Sequence, residues 1–171
     1  MIIDGFHANT KDKCKQFLDN PSCLLLSNDT YYLGYGMYFW DSLEQAEWWR
    51  DTKKGGKNLA AIITAKIVTD NLLDITSKEV LDALDTLYDN IEAKLAESMS
   101  VNGTVLLGKK LDVLFTLCNE ELQKYGGIYG VIAYKNRREH QFLQGSLMTM
   151  KPVAIILVKD YKIISNVAIK D

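Results

Sequence analysis

The chain has 171 residues, 47% of them hydrophobic, and a net charge of −2, which suits one domain with a substantial core and excludes a strongly basic nucleic-acid platform built on clustered Lys and Arg. No apolar run approaches the roughly 18 residues of a membrane span, and no charged-then-apolar leader opens the chain, so a cytoplasmic protein with no membrane partner is expected. Cys14, Cys23 and Cys118 are odd in number and lack Cys-x-x-Cys spacing, so neither a disulfide framework nor a metal site is expected.

Met1 to Gly5 reads as a first strand, and Thr10 as the cap of a helix to about Leu18 that Asn20-Pro21 stops. Ser22 to Leu26 is an apolar run that predicts a short strand, and Ser27-Asn28-Asp29-Thr30 is turn chemistry. Met37 to Trp40 alternates like a strand, and a helix from about Ser42 to Arg50 follows, presenting Ala46, Trp48 and Trp49. Leu59 to Val68 predicts a long central strand. Thr76 and Glu79 have the spacing of a capping box that opens a helix through about Glu97, with Val80, Leu84, Tyr88 and Ile91 among its apolar side. A second helix is predicted from about Thr104 to Lys124, and strands at Ile128 to Tyr134, Gln141 to Leu143, Val153 to Val158 and Tyr161 to Ile169. The sum is a single α+β domain over residues 1–171. Its helices between 77 and 124 are expected on one side of the sheet, away from any pocket formed near the aromatic segment.

That segment, residues 31 to 49, gathers all three tryptophans and four of the nine tyrosines around Gly34-Tyr35-Gly36. Glycines allow positive φ or a close backbone approach, while Tyr32, Tyr35, Tyr38 and Trp40 supply faces for stacking a planar ligand. A dinucleotide fingerprint needs a third glycine where this chain has Phe39, and no phosphate-binding Gly-x-x-x-x-Gly-Lys-[Ser/Thr] occurs. Trp48 and Trp49 point about 100° apart on a helix, so one is expected in the packing and the other at the site or in solvent.

Gly34 to Asp41, together with Phe6-His7-Ala8, resembles the nicotinamide pocket of the ADP-ribosyltransferase fold in its diphtheria-toxin and poly(ADP-ribose) polymerase branch. The likeness is closest to small bacterial enzymes of that branch, some of which act as toxins in toxin–antitoxin or antiphage systems, and it extends to the segment from Arg138 to Val158. The resemblance implies a split mixed β-sheet with the helical segment of about 77–124 packed on it, and NAD as co-substrate. It gives His7 the role of holding a ribose hydroxyl, Ala8 that of presenting backbone groups to the carboxamide, and Tyr38 that of the stacking ring. Tyr32, Tyr35, Trp48 or Trp49 would close the other face, beside Gly34 and Gly36. The cationic nicotinamide ring is attracted to an aromatic face by about 0.5 to 2 kcal/mol. An acidic residue stabilises the oxocarbenium-like sugar, the same charge problem that glycosidases solve with carboxylates.

Two departures bear on activity. Ala8 stands where the family has glycine, and Gln144, in Phe142-Leu143-Gln144-Gly145, stands where it has the acid. An amide hydrogen-bonds a hydroxyl but does not neutralise an oxocarbenium. Three accounts are open: Glu139 supplies the acid in a shifted register, the enzyme is weak or silent, or an amide replaces an original carboxylate. Lys53-Lys54-Gly55-Gly56-Lys57 reads as a solvated loop. Tyr134, Lys135, Arg137 and Arg138 precede the Gln144 motif and suit an acceptor: the cations for RNA or DNA phosphates or an acidic protein surface, the ring for a base. The expectation is a mono-ADP-ribosyltransferase acting on nucleic acid or protein, with an antitoxin as a further partner. An NAD glycohydrolase and a silent NAD- or ADP-ribose-binding module are the alternatives.

Overall fold

A computed structural model of the chain describes residues 1–96, 105–132 and 152–170. In chain order these form β1 (Ile2–Thr10), α1 (Lys11–Asp19), β2 (Ser27–Asp29), β3 (Gly34–Trp40), α2 (Leu43–Lys53), β4 (Ala60–Val68) and β5 (Leu72–Asp74). They continue with α3 (Lys78–Ala96), α4 (Leu107–Leu117), the single turn α5 (Asn119–Leu122), β6 (Gly127–Ile132), β7 (Val153–Val158) and β8 (Ile164–Lys170). The architecture is α+β with a mixed sheet in the order β5-β6-β7-β3-β1-β4-β8, β2 adding to β3, and the β5–β6 pair parallel.

The strands read as their burial requires. Every residue of β7, Val-Ala-Ile-Ile-Leu-Val, is buried, because helices cover both faces of the sheet there and an alternating pattern would put polar groups in a core. On one face, Cys14 and Phe17 of α1 meet Met37, Phe39, Ile63 and Ile156. On the other, Leu84, Leu111 and Leu114 of α3 and α4 meet Ile128, Ile155 and Leu157. Beside them α2 sets Ala46 against Ala8 and Ile62.

Several local expectations are corrected. Ser22–Leu26 is not a strand: Leu24 and Leu25 pack on the core from irregular chain, and Ser27–Asp29, read as a turn, pairs with Gly34–Gly36. A ladder needs only backbone, so apolarity was a guide to packing and not to pairing. β1 runs on through His7 and Ala8 because β4 pairs with it from Ile2↔Val68 to Thr10↔Ala60. The Thr76 hydroxyl donates to Asp74 at 2.6 Å, forming a local Asx-type turn in place of a capping box with Glu79. The predicted second helix starts at Leu107 and breaks at Cys118, from which Leu122 still reaches the core. Tyr161–Ile163 is a helical turn, capped by Asp160, ahead of β8. The predicted strand Gln141–Leu143 lies outside the described residues.

The helices of 77–124 cover one face of the sheet, as expected, and they also reach the aromatic segment from behind. Tyr38 and Trp40 pack on the same cluster as Leu111 and Leu114, and α4 grips the turn that enters β3: Gly108 N–H donates to the Thr30 carbonyl and Tyr35 N–H to Asp112. Gly34 explains why this contact is possible. It sits at φ +87°, and a Cβ there would lie 2.5 Å from the Gly108 carbonyl oxygen and from Asp112 Oδ1. Gly34→Ala therefore combines backbone strain with overpacking and is expected to cost about 2 kcal/mol or more. Gly56→Ala has comparable φ, +79°, with nothing within 4 Å of the added Cβ, and is expected to cost only about 1 kcal/mol of strain. Urea unfolding of both variants checks the difference; equal losses would remove the α4 contact as the cause.

Candidate functional site

β1 and β3 pair only at Phe6↔Trp40. Each strand otherwise follows its other neighbour, β1 along β4 and β3 along β7, so the sheet parts between them from His7 and Tyr38 onward. A cleft of about 440 Å³ opens at the parting, within the roughly 300–1,000 Å³ of small-molecule sites. β1 gives it His7, Ala8 and Asn9, β3 gives Tyr38 and Trp40, and α2 gives Trp49. Tyr32 and the stretch from Leu24 to Asp29 form a further wall, and Lys13, Gln16, Lys54 and Ile155 complete the lining.

His7 spans the gap. It is only 9% exposed, and its Nδ1 lies 2.6 Å from the Tyr38 carbonyl oxygen. A carbonyl only accepts, so Nδ1 carries the proton and Nε2 keeps its lone pair. Asn9 Nδ2 donates to Nε2 at 3.2 Å, while Asn9 Oδ1 accepts from the Thr10 N–H at 3.0 Å, which fixes which way the amide points. Burial lowers the His7 pKa to about 4, with Lys54 and Lys13 adding to the lowering and the Tyr38 carbonyl opposing it. The imidazole is therefore a neutral acceptor at pH 7.

Tyr38 has two jobs in one side chain. Its ring borders the cleft, and its hydroxyl donates to the Gly34 carbonyl at 2.6 Å and accepts from the Leu33 N–H at 3.2 Å, tying the turn before β3 to the strand. Burial pushes the phenol up, so it stays protonated. Trp40 and Trp49 stand 5.9 Å apart between ring centroids at 51°, an edge-tilted pair of the kind aromatic quadrupoles favour.

Of the residues singled out from the sequence, His7, Ala8, Tyr32, Tyr38 and Trp49 line this one cleft. Gly34, Tyr35, Gly36 and Trp48 do not. Trp48 is 52% exposed on the outer side of α2. Tyr35 and Gly36 border a separate groove of about 490 Å³, which shares Leu24 and Leu26 with the cleft. The Gly-x-Gly serves close packing: a Cβ on Gly36 would fall 2.6 Å from the Leu157 side chain. Tyr35 is pinned through its backbone, its N–H by Asp112 at 2.8 Å and its carbonyl by Lys159 at 2.7 Å, while Lys159 also pairs with Asp112 at 3.2 Å. Tyr134, Lys135, Arg137, Arg138, Glu139 and Gln144 lie outside the described residues.

The cleft also holds Asn9, Lys13, Asp29 and Lys54, which sequence reasoning passed over. Asn9 had a signal: two residues beyond His7 on a strand, it shares its face. Lys54 belongs to the run read as a solvated loop, and Lys13 looked like any exposed residue of an amphipathic helix. Asp29 is the one carboxylate among the described residues of the lining, and its Oδ1 accepts from the Tyr31 N–H at 3.0 Å. Among the described residues no helix is long and apolar enough to cross a membrane.

The buried histidine makes stability depend on pH. Its folded pKa of about 4 lies below the ordinary 6.5, so between those values the unfolded chain binds more protons and stability rises with pH. The contribution is complete above pH 6.5 and is lost as pH falls toward 4, roughly 3 kcal/mol in all. Urea unfolding across that range should show a loss smaller by about this amount in His7→Gln than in the unsubstituted chain; identical pH dependence would assign the effect to another group. No family model, no curated protein and no solved structure matches the chain.

Proposed function

We propose that the chain is an NAD-dependent mono-ADP-ribosyltransferase, with nucleic acid or protein as acceptor and the character of a toxin-like effector. The observation that carries this is the cleft at the parting of β1 and β3, where His7 and Ala8 from one strand face Tyr38 from the other, with Tyr32 and Trp49 beside them. Those are the residue types that the resemblance assigns to a nicotinamide pocket.

The chemistry follows from the residues. Aromatic faces hold the cationic nicotinamide ring, and their hold weakens as the glycosidic electron pair moves onto the ring nitrogen and cancels its charge. Neutral His7, with Nε2 as acceptor and Asn9 as the adjoining donor, suits a ribose hydroxyl, which itself both donates and accepts. The positive charge that develops on the sugar calls for a carboxylate. Glu139 or a carboxylate at the Gln144 position fills that role in this proposal, and Asp29 is the acid that the described part of the cleft offers.

Two further readings share the pocket. With water as acceptor the chain is an NAD glycohydrolase; with Gln144 silencing the chemistry it is an NAD- or ADP-ribose-binding module. Labelled NAD incubated with the protein, alone and with cell RNA, DNA and protein, separates them by label on polymer, free ADP-ribose, or neither. NAD at about 100 times its dissociation constant should add roughly 2.7 kcal/mol of stability, and absence of any shift in Tm would remove the pocket assignment. Tyr38→Ala and His7→Ala are expected to reduce turnover by about 100-fold or more while retaining the fold. Tyr38→Phe keeps the ring and should keep most of the turnover, at a stability cost of about 1 kcal/mol from the lost Gly34 hydrogen bond. Gln144→Glu should raise turnover if the amide is what limits the reaction; unchanged NAD cleavage would favour Glu139 or a silent pocket.

A further inference from the structure

We propose that Lys13 and Lys54 form an anion-binding part of the cleft and hold the diphosphate of its ligand. Lys13 projects from α1 and Lys54 from the residue that ends α2, yet both line the same cavity as His7 and Tyr38. Neither has an ion-pair partner among the described residues, whereas Lys66, Lys78, Lys110 and Lys159 each have a carboxylate. Two cations thus face one cavity against one carboxylate among the described residues, Asp29, itself accepting from a backbone N–H. Like charges turned into a shared space repel, and a bound dianion relieves that repulsion.

Their positions are fixed by backbone. The Lys11 N–H donates to the Leu59 carbonyl at 3.1 Å, and the Lys54 N–H to the Arg50 carbonyl at 3.2 Å, so the start of α1 is pinned near the loop after α2. Both lysines also act on His7, adding to the effect of burial, so a bound dianion should shift the histidine back toward its ordinary titration range. Assigning the diphosphate to a dinucleotide deepens the NAD reading and rests on it; the anion site itself does not. A cavity of this size with an aromatic wall and a dicationic wall suits a ring joined through sugar to a diphosphate.

Calorimetric titration of the full chain with inorganic pyrophosphate, ADP-ribose, nicotinamide and a short single-stranded RNA tests this. The unsubstituted protein is expected to bind pyrophosphate and ADP-ribose, more weakly as salt rises. Lys13→Gln with Lys54→Gln should weaken both by at least about tenfold, leave nicotinamide binding unchanged, and raise the His7 pKa read by NMR. Arginine at both positions should restore binding. Equal affinity of the glutamine variant for pyrophosphate, or no binding by the unsubstituted chain, overturns the proposal. Loss confined to the RNA also overturns it, since the lysines would then serve an acceptor. Lysine-dependent pyrophosphate binding without binding of ADP-ribose or NAD supports the anion site and removes the dinucleotide assignment.

Discussion

The molecule depends on how its sheet is interrupted. β1 and β3 are neighbours in strand order but share a single register pair, and the link across the gap beyond it is a side chain, His7 Nδ1–H to the Tyr38 carbonyl. That bond decides the tautomer of the imidazole, the tautomer decides that Nε2 is an acceptor, and Asn9 is oriented to meet it. A fully zipped β1–β3 ladder would close the space into which these groups face. The cleft therefore exists because the backbone pairing stops and a polar side chain takes its place, a trade that leaves no described buried side-chain nitrogen or oxygen without a partner.

The aromatic wall is held from behind. α4 approaches the turn before β3 closely enough that only glycine fits at positions 34 and 108. Asp112 and Lys159 then fix both polar groups of the Tyr35 backbone. Burial lowers the Lys159 pKa, while the Asp112 hydrogen bond works to keep it charged. Pinning this turn sets the position of Gly34, whose carbonyl holds the Tyr38 hydroxyl. A chain of short contacts thus runs from α4 to the ring at the cleft, and the helices of 77–124 act as a buttress for the site.

The sequence made the composition of the cleft visible more readily than its outline. His7, Tyr38 and Trp49 stood out because histidine, tyrosine and tryptophan are scarce and gathered around a Gly-x-Gly, and β4, β7 and α3 were legible from periodicity or uniform apolarity. The choice between Trp48 and Trp49, and between Tyr32 and Tyr35, stayed open because neighbours on a helix or strand point different ways, and identity alone does not say which one faces inward. Gly34 and Gly36 looked like a ligand cradle but answer to α4 and Leu157, partners distant in sequence. Lys13 and Lys54 were invisible for the opposite reason: lysines are common on surfaces, and only tertiary placement shows two of them turned into one cavity with no ion-pair partner among the described residues. Ser27–Asp29 paired despite polar side chains, since its bonds are made by backbone that every residue carries.

The wall between Leu24 and Leu26 has a cleft on one side and the Tyr35 groove on the other, and it is irregular chain anchored mainly by leucine side chains. Sheet ladders resist displacement because many hydrogen bonds must break together, whereas a leucine-anchored strand of coil slides at the cost of a few contacts. Leu24 and Leu26 are thus shared lining, and a substitution at either one alters the wall of the cleft and the wall of the groove together.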